Sequence, residues 1–310
     1  MLKIIPLGGL GEIGLNMMVF EYDDTIVIID SGLMFPEDYM LGVDYVIPDM
    51  DYIRKNKDKV AGIILTHAHE DHVGALPYLL KDVNIPVYAT GFTIGMLRRK
   101  LDEHDLLSVS FLNEISPKER LKIAPFEFEF IRVNHSVVDG VGIVIHTPVG
   151  RIVHTGDFKL SDTVIPGMMT DIEAFERIGE EGVLALLSDS TNVEKDGRTI
   201  SDDVVGETLR KIISNSTGRV IVALFASNIA RIQQVVNIIK SGKRKIVFNG
   251  RSIELSVKTA ISLGMLYIPE GIEIDVDQIE QYSADEILIM TTGSQGEPMS
   301  ALTRMSGRMH

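Results

Sequence analysis

Short apolar runs separated by polar turns predict strands in the first part of the chain. Residues 16–21 and 25–30 form two such runs, and Tyr22, Asp23 and Asp24 between them carry a turn signal. Two apolar runs joined by a tight turn are typical of a β-hairpin. Further along, the pattern predicts strands at residues 60–65 and 83–89 and helices at residues 50–56, 73–80 and 92–104.

In the second part of the chain, strand-like and helix-like segments alternate. Residues 126–130 read FEFEF, and this strict alternation predicts a half-buried strand. Apolar strands are predicted at residues 142–146, 151–154, 183–191, 219–225 and 245–248, and helices at residues 202–214 and 227–240. Repeated strand–helix alternation is typical of a parallel sheet, so we expect a Rossmann-like second domain beginning near residue 200.

The candidate chemistry lies directly after the strand at residues 60–65. His67, His69, Asp71 and His72 follow one another there in the order His-x-His-x-Asp-His. Imidazoles and carboxylates buried without partners would cost several kcal/mol, and a metal ion would remove that cost. His67 and His69 point the same way on an extended segment, while Asp71 and His72 lie where a helix begins and face a second ion. The motif therefore predicts a two-metal site.

Two later residues complete this predicted site. His135 and Asp157 lie about twenty residues apart, each after an apolar strand, and we interpret His135 as a ligand and Asp157 as a bridging carboxylate. Asp30 closes the predicted strand at residues 25–30, and the likeness of the histidine motif to that of metallo-β-lactamase folds implies that Asp30 braces the histidine loop and does not bind metal. His146 and His154 lie inside strand-like segments and are interpreted as structural.

A literal G-x-G-x-x-G at residues 9–14 invites a dinucleotide-binding interpretation. That fingerprint requires a helix directly after the glycines. The predicted hairpin stands there instead, so the nucleotide interpretation is rejected.

Composition narrows the class of protein. The 310 residues are 45% hydrophobic and 24% charged, contain no cysteine and carry a formal net charge of −14. Metal ligands must therefore be histidines and carboxylates, and a protein that coats nucleic acid by bulk charge is excluded. A nuclease is not excluded, because ions within a cleft can hold a phosphodiester.

The sequence shows neither an apolar leader nor an apolar run long enough to cross a membrane. We therefore expect a cytoplasmic protein with no membrane association.

The histidine motif is the signature of metallo-β-lactamase fold hydrolases. The chain also resembles the ribonuclease J family, in the β-CASP branch of that superfamily, along essentially its whole length. The matching segments are residues 7–14, 35–38, 44–49, 154–159, 187–192, 225–228, 250–252 and 292–298. The resemblance implies an α/β fold, namely an αββα sandwich at residues 1–204 with an inserted Rossmann-like β-CASP domain at residues 205–310, truncated at the C-terminus.

The resemblance also implies a function. It implies a ribonuclease of RNA maturation and decay, including rRNA processing and mRNA decay, that cuts endonucleolytically and degrades 5′ to 3′ from a monophosphorylated end. Two zinc ions would activate a hydroxide that attacks the phosphodiester, and the chemistry of His and Asp ligands leaves manganese or iron as alternatives. The implied metal ligands are His67, His69, Asp71, His72, His135 and Asp157. Asp71 and Asp189 are the implied catalytic residues, Ser227 and Asn228 the implied RNA contacts, and the implied assembly is a homodimer or homotetramer.

Two departures from the family pattern bear on activity. The family continues well beyond position 310, with a phosphate-contacting segment and a histidine that completes the second zinc site. Ala230 also stands where the family pattern has histidine. Three alternatives stay open: a small-molecule hydrolase on the same fold, a β-CASP nuclease acting on DNA or on messenger 3′ ends, and a truncated subunit that binds RNA without cutting.

Overall fold

The computed structural model describes residues 1–37, 39–160, 169–197, 200–294 and 300–307. These residues form two compact units. The first takes in residues 1–135, 139–160 and the described residues up to 194, and the second takes in residues 136–138 and the described residues from 195 onward. The predicted boundary at residues 204 and 205 stays a prediction. Asp38 of the 35–38 motif, residues 295–298 of the 292–298 motif and residues 308–310 lie outside the described part.

The first unit contains two sheets. The first sheet has the strand order of the sequence, antiparallel from β1 to β3 and parallel from β3 to β6. Its strands are β1 (Leu2–Gly8), β2 (Met17–Tyr22), β3 (Thr25–Ile29), β4 (Val60–Ile64), β5 (Val87–Ala89) and β6 (Leu112–Glu114). The antiparallel pairing of β2 with β3 confirms the predicted hairpin.

The second sheet has the order β11-β10-β9-β8-β7, and only the pair β10 and β11 is parallel. Its strands are β7 (Arg120–Ile123), β8 (Phe126–Arg132), β9 (Val141–Thr147), β10 (Gly150–His154) and β11 (Ala185–Leu187). The helices of this unit are α1 (Asp51–Lys55), α2 (Glu70–Val73), α3 (Leu76–Asp82), α4 (Gly91–Glu103) and α5 (Ile172–Glu180), with 3-10 turns at Lys57–Lys59 and Leu107–Val109.

Alternation along the strands explains the layers of this unit. Ile28 of β3 packs in an apolar cluster with Leu97 of α4, whereas Ile29 packs with Phe128 of β8 between the two sheets. Successive side chains of a strand point to opposite faces, so each sheet is covered on both sides. On the outer face of the second sheet, Val144 belongs to a cluster with α5. The first unit is therefore an αββα sandwich, as the family resemblance implied.

Strand β8 corrects the prediction of a half-buried strand. Glu129 is only 7% exposed, although it lies on the face predicted to be polar and open. Arg177 of α5 donates to one of its carboxylate oxygens, and Arg120 of β7 donates to the other at 3.2 Å. Because α5 covers this face, the glutamate is buried with two cationic partners.

Several other predicted boundaries were wrong. The helix predicted at residues 73–80 is two helices, α2 and α3, separated by Gly74 and Ala75. The strand predicted at residues 83–89 is only β5, and the one predicted at residues 183–191 is only β11. Leu186 of β11 is 62% exposed, and β11 is an edge strand of its sheet among the described residues.

The second unit is built on a parallel sheet with the order β12-β14-β13, which confirms the predicted Rossmann-like alternation. Its strands are β12 (Val220–Ala223), β13 (Lys245–Asn249) and β14 (Ile287–Thr291), and its helices are α6 (Asp202–Asn215), α7 (Ile229–Ile239), α8 (Arg251–Ser262) and α9 (Ala301–Ser306). There are also 3-10 turns at Val276–Gln281 and Ala284–Glu286. Buried isoleucines and valines of β13 and β14 form the apolar interior of this unit, as expected for a parallel sheet.

Candidate metal centre

The turn from β4 into α2 carries the histidine motif. Between Ile64 and Glu70, where α2 begins, the chain forms no regular element; it bends at Ala68, and His69 is extended, with φ −72° and ψ 148°. This segment places Nε2 of His67 3.0 Å from Nδ1 of His69. Asp71 and His72 lie on the helical turn α2, which begins directly after His69. The sequence predicted this start of a helix at the two residues.

A first half-site consists of His67, His69, His135 and Asp157. One potential ligand atom from each of these residues lies within 4.8 Å of the others. The ring centroids of His67 and His69 lie 5.2 Å and 5.0 Å from that of His135, which stands in the loop after β8. Three imidazoles and one carboxylate converging in this way are a donor set that suits zinc.

A second half-site consists of Asp71, His72 and Asp157, whose ligand atoms also lie within 4.8 Å of one another. Nε2 of His72 lies 3.6 Å from Oδ2 of Asp71 and 3.3 Å from Oδ1 of Asp157. The other oxygen of Asp157, Oδ2, lies 3.6 Å from Nε2 of His135 in the first half-site. Asp157 therefore presents one carboxylate oxygen to each half-site.

The electrostatics of the first half-site favour neutral imidazoles. Burial, together with the neighbouring His72, holds the pKa of His67 well below its usual range. Burial and the proximity of His135 lower the pKa of His69 to about 3, and burial also lowers the pKa of His135. A neutral imidazole has a free nitrogen lone pair, which is the form that binds a metal ion.

The second half-site is dominated by carboxylates. Although burial opposes ionisation, the hydrogen bond and charge of His72 lower the pKa of Asp157 to about 2. Burial likewise opposes the charge of His72, but the carboxylates of Asp30 and Asp157 raise its pKa well above the usual value. Burial raises the pKa of Asp71. A cation placed among these groups would neutralise their negative charge and take the place of the proton on His72.

Asp30 braces the second half-site from behind. It is 2% exposed and accepts hydrogen bonds from the backbone N–H of Thr66 at 2.8 Å and from its hydroxyl at 2.9 Å. Its Oδ2 also lies 2.7 Å from Nδ1 of His72. Because Nδ1 is engaged, Nε2 of His72 faces Asp71 and Asp157. Carboxylates that lie behind metal-binding histidines commonly orient the rings in this way.

The donor set fits a pair of divalent ions. Each half-site offers at least three nitrogen or oxygen donors, the imidazoles favour zinc, and the mixture of imidazole and carboxylate also suits manganese. The structure brings together all six residues predicted as ligands, namely His67, His69, Asp71, His72, His135 and Asp157. Their roles as ligands stay predictions.

The remaining predicted residues lie outside both half-sites. Asp189 follows β11; its backbone N–H donates to the hydroxyl of Thr155 at 3.0 Å, and its carboxylate accepts from the N–H of Thr191 at 2.8 Å. In the second unit, Asn228 caps α7 by accepting from the N–H of Arg231 at 3.1 Å, and Ser227 precedes it.

Two histidines interpreted as structural stay outside the half-sites. His154 accepts a hydrogen bond from the N–H of Gly156 at 3.1 Å, and Nε2 of His146 lies 3.7 Å from the carboxylate of Glu129. The sequence pattern did not indicate Asn16, which was assigned only to the hairpin, although its side chain contacts Asp71 and His72. The position of Asn16 between a glycine-rich segment and a buried strand was the one feature of the sequence that could have indicated a role at the site.

Comparisons with known proteins agree with this architecture. The sequence model of the metallo-beta-lactamase superfamily matches residues 10–170, and that of the ribonuclease J beta-CASP domain matches residues 217–310. A crystal structure of a protein of unknown function from Enterococcus faecalis V583 superimposes with a TM-score of 0.67 at 16% identity, covering 93% of this chain and 76% of that one. This structural likeness shows the fold alone.

Curated relatives are more similar in sequence. The chain is 46% identical to ribonuclease J 1 of Streptococcus pyogenes serotype M3, over 99% of this chain and 55% of that protein. It is 43% identical to ribonuclease J of Helicobacter pylori strain 26695, over 99% of this chain and 45% of that protein. It is 42% identical to ribonuclease J of Thermus thermophilus, over 99% of this chain and 55% of that protein. The chain thus spans about half the length of these relatives.

None of the helices in the described part combines the length and the apolar character needed to cross a bilayer.

Proposed function

Because the chain belongs to the metallo-β-lactamase superfamily, in its ribonuclease J branch with a β-CASP domain, we propose that it is a zinc-dependent ribonuclease of RNA maturation and decay. It cuts RNA internally and also degrades it from the 5′ end. The observation that carries the proposal is the position of Asp157, whose two oxygens face two different half-sites. Such a shared carboxylate supports a pair of ions acting on one phosphodiester.

In this proposal His67, His69 and His135 hold one ion, Asp71 and His72 hold the other, and Asp157 contributes to both. The ions, when bound, supply a strong nucleophile from water near neutral pH and neutralise charge on the phosphate. The protein contributes geometry. The imidazoles of His67, His69 and His135 are kept neutral by burial, so these three are ready to bind without first losing a proton.

Asp30 and Thr66 orient His72 through the hydrogen bonds described above. Asp189 is proposed to orient the loop that carries Thr155, because the backbone N–H of Asp189 donates a hydrogen bond to the hydroxyl of Thr155. Ser227 and Asn228 are proposed to contact the RNA phosphates, because they lie at the start of α7, where backbone N–H groups favour an anion. The remaining parts of the proposal are a preference for 5′-monophosphorylated RNA, a homodimer or homotetramer and a cytoplasmic location.

The nucleophile in this mechanism is water and not the ribose 2′-hydroxyl. The expected products therefore carry a 5′-phosphate and a 3′-hydroxyl. A small-molecule hydrolase on the same fold is disfavoured, because residues 217–310 match the β-CASP domain, which such an enzyme does not need.

The proposal is tested with one RNA prepared with a 5′-monophosphate, a 5′-hydroxyl or a 5′-triphosphate. The zinc-loaded protein is incubated with each RNA and with a DNA of the same sequence, and the product ends are mapped. We expect cleavage of RNA, fastest from the monophosphate, with 5′-phosphate products. A 2′,3′-cyclic phosphate end would contradict the proposed attack by water, and equal cleavage of the DNA would contradict the proposal that RNA is the substrate.

A further inference from the structure

The glycine-rich segment at residues 8–14 has no part in the proposed function, yet the chain that follows it contacts the second half-site. The N–H of Asn16 donates to the carbonyl of Asp71 at 3.1 Å, and its own carbonyl accepts from the N–H of Gly32 at 2.8 Å. Asn16 is thus held by backbone hydrogen bonds on both sides. These backbone hydrogen bonds alone fix the position of Asn16 relative to Asp71.

The backbone before Asn16 adopts an uncommon conformation to reach this place. Leu15 has φ +58°, in the left-handed region that costs a residue with a Cβ about 1–2 kcal/mol. Gly9, on the other side of the loop, has φ +82°, and a Cβ there would lie 2.6 Å from Oδ1 of Asn16. The loop therefore accepts strain at one residue and requires glycine at another, and both features place the Asn16 carboxamide.

The carboxamide contacts the ligand atoms of the second half-site. Its Nδ2 lies 3.4 Å from Oδ2 of Asp71 and 3.2 Å from Nε2 of His72. Nδ1 of His72 is engaged with Asp30, so Nε2 is the atom available to a metal ion. These two contacts join the side chain of Asn16 to the second half-site, and its backbone N–H reaches the same Asp71.

We propose that Asn16 is a positioning residue for the second metal ion, an inference that rests on the proposed metal centre. Its side-chain N–H group donates to Oδ2 of Asp71 and fixes the rotation of that carboxylate toward His72. A neutral amide does this without adding a further negative charge to a site that already contains Asp30, Asp71 and Asp157. The glycine-rich segment at residues 8–14 thus supports the metal centre indirectly, because it positions Asn16.

The test is a zinc titration of the metal-free full chain in competition with a chromogenic chelator, which resolves two binding events. Asn16→Ala is expected to weaken the second event about 10- to 100-fold, as loss of a residue that orients a metal ligand does, and to leave the first within about twofold. Asn16→Asp keeps the shape of the side chain but has no N–H group to donate to Oδ2 of Asp71, and it adds a negative charge beside that carboxylate. Both changes act on the second half-site, so the second event is expected to shift at least about tenfold while the first stays within about twofold.

The matched control is Asn237→Ala, at an exposed position of α7 in the second unit, which should change neither event. If both events shift together in both Asn16 variants, the residue is merely structural and the proposal is overturned. It is also overturned if Asn16→Asp changes neither event. If Asn16→Ala does not fold, Asn16→Asp decides the question alone.

This titration uses no RNA, so its failure is separate from that of the proposed function. A chain that binds two ions with these shifts but cuts no RNA would refute the ribonuclease proposal and leave the role of Asn16 intact. A wild-type chain that binds a single ion would overturn the role of Asn16.

Discussion

The two half-sites share Asp157 but differ in how their ligands are held. The first half-site brings three histidines together from two separate loops, and burial keeps them neutral. In the second, Asp71 and His72 are neighbours on one helical turn, and their orientation depends on residues behind them. The first is therefore fixed mainly by the fold, and the second by specific hydrogen bonds. Single substitutions can consequently damage the second half-site while leaving the first intact.

The largest expected effect comes from Asp71→Asn, which keeps the shape of the side chain and removes its charge. Loss of the second ion would remove several kcal/mol of stabilisation from the transition state, so RNA cleavage should fall by about 10³-fold or more. Steady-state cleavage of 5′-monophosphorylated RNA measures this, and the zinc count should fall from two to one. A variant with the same cleavage as the wild type would show that the chain does not cut RNA at this centre.

The next effect comes from Gly32→Ala. A Cβ at position 32 would lie 1.5 Å from the carbonyl oxygen of Asp71, so the backbone that carries Asp71 must move. A displacement of about 1 Å costs about 10²-fold in rate, and we expect kcat to fall by that order while the first ion still binds. Gly179→Ala is the control, because a Cβ there meets nothing within 4 Å. Equal losses in the two variants would refute the argument from close packing.

A smaller effect is expected from Asp30→Asn, which retains an acceptor for Thr66 but loses the carboxylate that holds His72. The second ion should bind about 10- to 100-fold more weakly, and the free energy of unfolding in urea should fall by about 1–3 kcal/mol, because buried polar groups lose partners. Asp24→Asn, at an exposed ion pair with Lys59, should leave zinc binding unchanged. If both ions weaken equally in Asp30→Asn, the contrast between the half-sites fails.

The smallest effect is expected in the second unit. Asn228→Ala removes the cap of α7 and should lower the free energy of unfolding by about 1 kcal/mol. The zinc count should stay at two, because no described residue of that unit belongs to either half-site. Chemical denaturation and metal analysis check the two parts separately. A loss of zinc would show that the second unit controls the metal centre.

Local patterns in the sequence predicted much of the fold. The hairpin of β2 and β3, the helix α4 and the parallel sheet of the second unit follow from apolar periodicity, which depends on neighbours along the chain. The histidine motif likewise predicted that His67 and His69 lie next to each other, because their orientation depends only on the local backbone. These features required no knowledge of distant contacts.

Other features depend on residues far apart in the sequence and could not be predicted. Glu129 is buried because Arg177, 48 positions later, covers it. Asn16 contacts Asp71 across 55 positions, and no local pattern shows that a loop will return to that place. The glycines at residues 8–14 are followed by the strand β2, as predicted, and not by the helix that a dinucleotide fingerprint requires, but their structural role emerged only from the folded contacts.

Everything proposed for this metal centre requires six side chains to hold two ions through one shared carboxylate. Anomalous X-ray scattering at the zinc edge, recorded from crystals of the zinc-loaded protein, locates such ions without any assumption about activity. We predict two peaks, one bonded to His67, His69 and His135 and the other to Asp71 and His72, with Asp157 bonded to both. A single peak, or peaks that do not contact Asp157, would refute the shared-carboxylate centre.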